Sequence, residues 1–231
     1  MKTLDKKIAL LVFALSDEEE VKRKPFLAQD TLAKSLNKHT KDIAVQSDLP
    51  VFHFDETKQI GDDFGTRFSN AIRSVFDEGY DGLIAIGNDC PYLQVNHIHQ
   101  AKAILENGEA VLGPTYDGGF YLMGLSKKDF DYRAFLTLSW NTNKIFEEFF
   151  ESLKTRRIEC HSLEKLWDIN YLSALENLVL HRIRNARLRS SIQSAVKRRS
   201  TNYFVSKVTE LKLLHFTLFN KGSPVFYFFQ S

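Results

Sequence analysis

Two acidic turns carry the side chains of this sequence best placed to do chemistry. In Gly87-Asn88-Asp89-Cys90-Pro91 a carboxylate follows directly on the apolar run 83–86. An aspartate at a strand end projects into the crevice, where a hard divalent cation is held beside a phosphorylated ligand. Magnesium keeps most of its waters, so one or two protein oxygens suffice. Read locally, Asp89 is a turn residue or a helix cap. In Tyr116-Asp117-Gly118-Gly119 the paired glycines permit backbone conformations closed to other residues, or the close approach of a ligand. Read locally, that turn is an Asp-Gly hairpin. The two turns flank one supersecondary unit, and their joint occurrence brings the functional reading level with the local one. Trp167-Asp168-Ile169-Asn170 adds side-chain oxygens at alternate positions, able to share a metal or a ribose, or to bond their own turn. Lys22-Arg23-Lys24 is a phosphate contact or a solvated face. Cys90 has no histidine placed near it by any motif and reads as a small buried residue.

Other chemistries lack their signatures. The 7 histidines show no metal-ligand spacing. No Gly-x-Ser-x-Gly elbow, Gly-x-x-x-x-Gly-Lys loop or Gly-x-Gly-x-x-Gly fingerprint occurs.

The elements that must position these turns alternate. Apolar runs at 8–15, 51–54, 83–86, 110–112, 118–125 and 158–161 read as strands. Ser16-Asp17-Glu18-Glu19 fits a capping box opening a short helix. Leu32 and Leu36 suggest a helix over 29–41, and Phe64, Phe68, Ile72, Val75 and Phe76 recur at helical spacing until Gly79. A helix is expected over 95–107. Asn141 is expected to cap another, faced by Ile145, Phe146, Phe149, Phe150 and Leu153, and Ser173-x-x-Glu176 a last one carrying Leu175, Leu178 and Val179. Strands alternating with helices predict an α/β sandwich on a largely parallel sheet.

The 231 residues suffice for one sizeable core with an appendage. Residues 1–180 hold 21 Lys+Arg against 28 Asp+Glu, whereas 181–212 hold 9 against 1. The expected division is a domain over 1–180 and a basic, partly helical extension over 181–231. Arg182, Arg184, Arg187, Arg189, Lys197, Arg198 and Arg199 show no nucleic-acid motif and read as a solvated basic helix on an acidic domain. The apolar stretch 225–229 is expected to pack on the domain or on a second subunit, as in a homodimer. The run 8–15 leads straight into four acidic residues and reads as a buried strand rather than a secretory segment, and no stretch reaches the length of a membrane span. Two cysteines, without a disulfide framework, suit a reducing cytoplasmic setting.

Taken together, these residues resemble the family known as domain of unknown function 2064, within the GT-A-like nucleotide-diphospho-sugar transferases, whose relatives include molybdenum-cofactor and phospholactate guanylyltransferases. The match lies in Ile86-Gly87-Asn88-Asp89-Cys90-Pro91-x-Leu93, Leu112-Gly113-Pro114-x-x-Asp117-Gly118-Gly119-x-Tyr121-Leu122-x-Gly124-Leu125 and Leu138-x-Trp140-x-Thr142. Gly61-x-x-Phe64-Gly65-x-Arg67-Phe68 and Trp167-Asp168-Ile169-Asn170 fit too, so that the similarity covers about residues 6–180. The resemblance implies a Rossmann-like three-layer α/β/α fold and a transferase acting on a nucleotide sugar, or on a nucleoside triphosphate, and a small-molecule acceptor. It implies magnesium or manganese held by Asp89, Asp168 and Asn170, catalytic roles for Asp89 and Asp117, a nucleotide or phosphate side at Lys22, Lys24 and Asn88, and an acceptor side at Gly118, Gly119 and Trp140. A protein that keeps the fold and binds nucleotide without turnover stays open beside these. Two positions depart from the family pattern: Asn170 stands where a second aspartate is usual, and Leu15 where an arginine follows Phe13-Ala14.

Overall fold

Unbroken apolar runs make the middle of a six-stranded sheet, because strands covered on both faces have no reason to alternate. The computed structural model describes residues 6–197. In chain order the elements are β1 (Ile8–Phe13), α1 (Asp17–Arg23), α2 (Leu32–Gln46), β2 (Val51–Phe54), α3 (Phe64–Asp77), β3 (Gly82–Ile86) and α4 (Val95–Glu106). They continue with β4 (Ala110–Pro114), β5 (Phe120–Ser126), α5 (Tyr132–Thr137), α6 (Ile145–Thr155), β6 (Cys160–Ser162) and a helix, α7, over 186–197.

The sheet order is β2-β1-β3-β5-β4-β6. β1 pairs parallel with β2 and β3, and β4 with β6, whereas β5 is antiparallel to both its neighbours. The sheet is therefore mixed, with β5 alone reversed. Alternation along the strands splits the interior into two cores. Leu10, Val12, Ile84 and Ile86 join Leu36 of α2, Ile98 of α4 and Ile192 of α7. Ala9, Leu11, Leu83 and Ala85 join Ile72 of α3, Phe135 of α5 and Phe149 of α6. The result is a three-layer α/β/α sandwich. No helix among the described residues is long and apolar enough to cross a membrane.

Several local expectations change. Ser16 does cap α1, its Oγ accepting the Glu19 N–H at 3.3 Å. The reciprocal half of the box comes from elsewhere: the Ser16 N–H donates to Glu56 Oε2 at 2.8 Å, while the Glu19 carboxylate pairs with Lys22 and Arg23. Asn141 is not a helix cap. It takes a left-handed φ of 60°, α6 begins only at Ile145, and the Phe146 N–H is satisfied by the Gly118 carbonyl at 3.1 Å. Ser173 does not cap an α-helix either, because Leu172–Asn177 is a 3-10 turn. Leu175 in this turn and Leu178 just after it are both buried, while Val179 is exposed. The short helix α5, capped by the Asp131 carboxylate, was not expected. The stretch 225–229 lies outside the described residues, as do Arg198 and Arg199.

Candidate functional site

The carboxyl ends of β1, β3 and β4 open into one cavity of about 620 Å³. Asp89 follows β3 by three residues. Asp117 sits in the turn of the β4–β5 hairpin, which the Thr115 N–H closes on the Gly119 carbonyl at 2.9 Å. The local reading of this turn as an Asp-Gly hairpin is therefore right, and the hairpin also lines the cavity. After β6 the chain runs back over the strand ends like a strap. The Leu163 N–H donates to Leu112 O (2.8 Å), Leu166 N–H to Pro114 O (3.0 Å), Tyr116 N–H to Leu166 O (3.0 Å) and Ile169 N–H to Asp89 O (2.8 Å). This strap stitches the two acidic turns together and delivers Asp168 and Asn170 between them.

The resulting cluster holds three carboxylates around one amide. Asn170 Nδ2 donates to Asp117 Oδ2 and to Asp168 Oδ2, each at 2.8 Å. Its Oδ1 accepts from Lys24 Nζ at 3.0 Å, and the same ammonium reaches Asp89 Oδ2 at 3.4 Å. Lys24 comes from the end of α1, where its own N–H closes the helix on the Glu20 carbonyl. Burial would lower its ammonium pKa, but the Asp89 and Glu20 carboxylates outweigh that and raise it. Asp168 is in the opposite position: burial first, then the Asp89 and Asp117 charges, push its carboxyl up to about 8. Burial would raise Asp117 as well, yet hydrogen bonds from the Thr115 hydroxyl, the Asn170 amide and the Gly119 N–H hold it below its ordinary value. Both carboxylates share the Asn170 amide, so their opposite shifts come from the extra donors Thr115 and Gly119 on Asp117 and from burial and like charge at Asp168.

Asn88 lies in the cavity wall, but both its amide hydrogens are committed, to Glu20 Oε1 (3.1 Å) and Asn37 Oδ1 (2.7 Å). It fastens α1 and α2 to the end of β3. Glu20 also lines the cavity, with its carboxyl raised by burial. Lys22 points away: its side chain is 73% exposed and pairs with Glu19. The expectation that it faces the ligand side is corrected, since helical phase puts Glu20, not Lys22, inside. Gly119 and Trp140 line the cavity, and Gly118 does not. Gly118 has φ +92°, and a Cβ there would fall 2.0 Å from the Asn143 carbonyl oxygen, so its role is to seat the start of α6. Cys90 is buried, as expected of a packing residue, and burial pushes its thiol up.

Phe13, Phe64, Phe68, Phe120 and Arg67 line the cavity without having been singled out as site residues. The signal was present in the Gly61–Phe68 motif but has no meaning until α3 is set against β1. Elsewhere the fold gathers Glu109, Glu159 and His161 at the β4–β6 edge, ligand atoms within 4.8 Å of one another, although their spacing along the chain suggests nothing.

In architecture the chain is similar to the "putative nucleotide-diphospho-sugar transferase" from Desulfovibrio desulfuricans G20, with 22% identity over 85% of this chain and 96% of that one, and a TM-score of 0.67. Weaker likenesses are to Rv0371c from Mycobacterium tuberculosis H37Rv (11% identity, 75% of this chain and 97% of that one, TM-score 0.48) and to its manganese complex (12%, 75% and 98%, TM-score 0.41). No curated protein matches the chain. The family model described as "Uncharacterized protein conserved in bacteria (DUF2064)" matches residues 27–142, which run from the end of the first loop through Asp89 and Asp117 to the residue after Asn141. With half its length under that model and the fold of a nucleotide-diphospho-sugar transferase, the chain belongs to the DUF2064 family.

Proposed function

We propose that the chain is a metal-dependent glycosyltransferase that uses a nucleotide-diphospho-sugar donor and a small-molecule acceptor. The observation that carries this is the cluster of Asp89, Asp117, Asp168 and Asn170 at the strand ends, inside a cavity whose size suits a nucleotide-sized ligand. The name of the D. desulfuricans protein, which shares the fold, agrees with it. A reducing, cytoplasmic setting fits the free thiols of Cys90 and Cys160.

The donor set suits a hard cation. Asp89, Asp168 and the Asn170 carbonyl offer only oxygen, and burial, then the Asp89 and Asp117 charges, hold Asp168 up at about 8 despite the Lys24 ammonium nearby. These three would hold magnesium or manganese, which when bound would neutralise charge developing on the donor's diphosphate. Lys24, displaced from Asn170, would reach a phosphate. Asp117, ionised and fixed by Thr115 and Gly119, is the group to take the acceptor's hydroxyl proton. As it does so the acceptor oxygen bonds to the sugar's anomeric carbon, the bond from that carbon to the diphosphate oxygen breaks, and the nucleoside diphosphate leaves. The same residues would serve nucleotidyl transfer, in which the acceptor oxygen attacks the α-phosphorus of a nucleoside triphosphate and pyrophosphate leaves. Lys24 inside the acidic cluster and Glu20 in the cavity wall favour a second reading, a nucleotide-binding partner protein without turnover.

Thermal unfolding with sugar nucleotides and nucleoside triphosphates, each with and without magnesium or manganese, tests this. A ligand at about 100 times its Kd adds about 2.7 kcal/mol to stability. Stabilisation is expected only with metal and nucleotide together, and Asp89→Ala should abolish it. No stabilisation by any pair in the wild type would sink the proposal. Metal-dependent binding without product in a transfer assay would leave the second reading.

A further inference from the structure

The motif Gly61-x-x-Phe64-Gly65-x-Arg67-Phe68 takes no part in the metal and phosphate chemistry, yet it builds one wall of the same cavity. Asp63 caps α3 by accepting the Thr66 N–H at 2.8 Å. The helix therefore starts at Phe64 and sets Phe64, Arg67 and Phe68, at i, i+3 and i+4, on the face turned to the cavity. The Phe64 and Phe68 rings lie 5.3 and 5.5 Å from the Trp140 ring. The indole is fixed in place, because Trp140 Nε1 donates to the Phe135 carbonyl at 2.6 Å. Gly65 makes room for it: a Cβ there would lie 2.6 Å from Trp140 Cδ1. The rings meet the indole tilted and edge-on, at 46° and 78°, and together make an apolar aromatic wall beside the first turn of α3.

Arg67 lines the cavity beside this wall, and its charge is felt by the Asp63 carboxylate. It donates to the Asp62 carbonyl at 3.1 Å and the Gly61 carbonyl at 3.5 Å, and no carboxylate among the described residues forms an ion pair with it. The nearest candidate in sequence, Asp63, is engaged by both the N–H and the hydroxyl of Thr66. The other cations of the cavity are paired, Lys24 with Asp89 and Arg23 with Glu19. A guanidinium held to backbone oxygens, with donors to spare and an aromatic wall lining the same cavity, recognises an anionic group on an apolar body.

We propose that the Phe64–Arg67–Trp140 wall is the acceptor subsite, and that the acceptor is a hydroxylated molecule with a largely apolar, aromatic body and one anionic group, carboxylate or phosphate, bound by Arg67. This rests on the transferase reading of the cavity given above. It accounts for four of the motif's five named positions: two rings, a glycine seat for the indole and a cation.

The test is calorimetric titration of the full chain with 4-hydroxyphenylacetate, with phenyl phosphate and with the neutral 2-(4-hydroxyphenyl)ethanol. At least one anionic probe should bind about tenfold or more tightly than the neutral one, the advantage of a charge-assisted hydrogen bond. Arg67→Gln should erase that preference while leaving the neutral probe's affinity unchanged, and Arg67→Lys should restore part of it. Carboxylate against phosphate shows which anion the wall prefers. Equal affinity for all three probes, binding of none, or a preference that survives Arg67→Gln overturns the proposal; a preference lost instead in Lys24→Gln moves the anion to the acidic cluster and overturns it too. Metal-dependent stabilisation by nucleotides, measured on Arg67→Gln in parallel, keeps the two ideas apart. If it persists while the probe preference is absent in the wild type, only the acceptor assignment fails. If nucleotides fail to bind the wild type while the preference stands, it is the transferase reading that falls.

Discussion

Asp168 is 8% exposed, shares its amide neighbour with Asp117 and lies beside Asp89, and its carboxyl is accordingly pushed up to about 8. The sign of the consequence follows from linkage. Below pH 4 the group is protonated whether folded or unfolded and costs nothing. Between about pH 4 and pH 8 the unfolded chain gives up the proton first, so stability declines as pH rises, by up to about 1.4 kcal/mol per pH unit, and the loss is complete above about pH 8. Asp168→Asn keeps an oxygen to accept from Asn170 and removes the charge. Denaturant unfolding of the metal-free protein at pH 5 and pH 8 should show the decline in the wild type, and a flatter profile in the variant. Residues of this kind were legible beforehand because a carboxylate in a turn at a strand end is conspicuous by itself. Lys24 was legible only as a basic residue. That it pairs with Asp89, 65 positions away, and with Asn170, 146 away, is a matter of tertiary placement that no local pattern contains. Arg67 was hidden for the same reason.

Among the elements, the β4–β5 hairpin and the strap over 163–170 do the positioning. Gly118 joins the hairpin to α6 through a left-handed φ of +92°, with the Asn143 carbonyl oxygen 2.0 Å from where a Cβ would be. Gly118→Ala combines the αL penalty with a clash against backbone, which cannot swing aside, and should cost about 2–4 kcal/mol in urea unfolding. Gly119→Ala is the comparison: its Cβ meets side chains only, the Thr115 hydroxyl at 3.0 Å and Asp117 Oδ1 at 3.4 Å, and it should be milder. Helices with a full apolar face, such as α3, were legible from their period. The start of α6 was not, because the groups that satisfy its first N–H groups include a carbonyl of the hairpin, a partner no cap-residue rule anticipates. The reversal of β5 was equally hidden, since a strand buried on both faces reads the same in either direction; only the short Asp-Gly connection after β4 hinted at it.

At the scale of the whole molecule, α7 belongs to the interior. Ile183, Leu188 and Ile192 are fully buried in the core that contains β1 and α4, and the Ser191 and Ser35 hydroxyls lie 2.9 Å apart across its contact with α2. The acidic balance ends near residue 180, and the residues that follow, Ile183, Leu188, Ile192 and Ala195, join the same core as β1 and α4. Leu188→Ala should therefore cost about 2–5 kcal/mol, and unfolding followed by fluorescence and by circular dichroism should remain one transition; two separate transitions would mean that α7 does not unfold with the core. The strap has a further consequence, in time rather than in space. Lys24, Asp89, Asp117 and Asn170 come from four parts of the chain, and no two of them can meet until long loops have closed. In refolding from urea, core burial should come first and metal-dependent nucleotide binding should lag behind it, so that ligand competence marks the last step of folding.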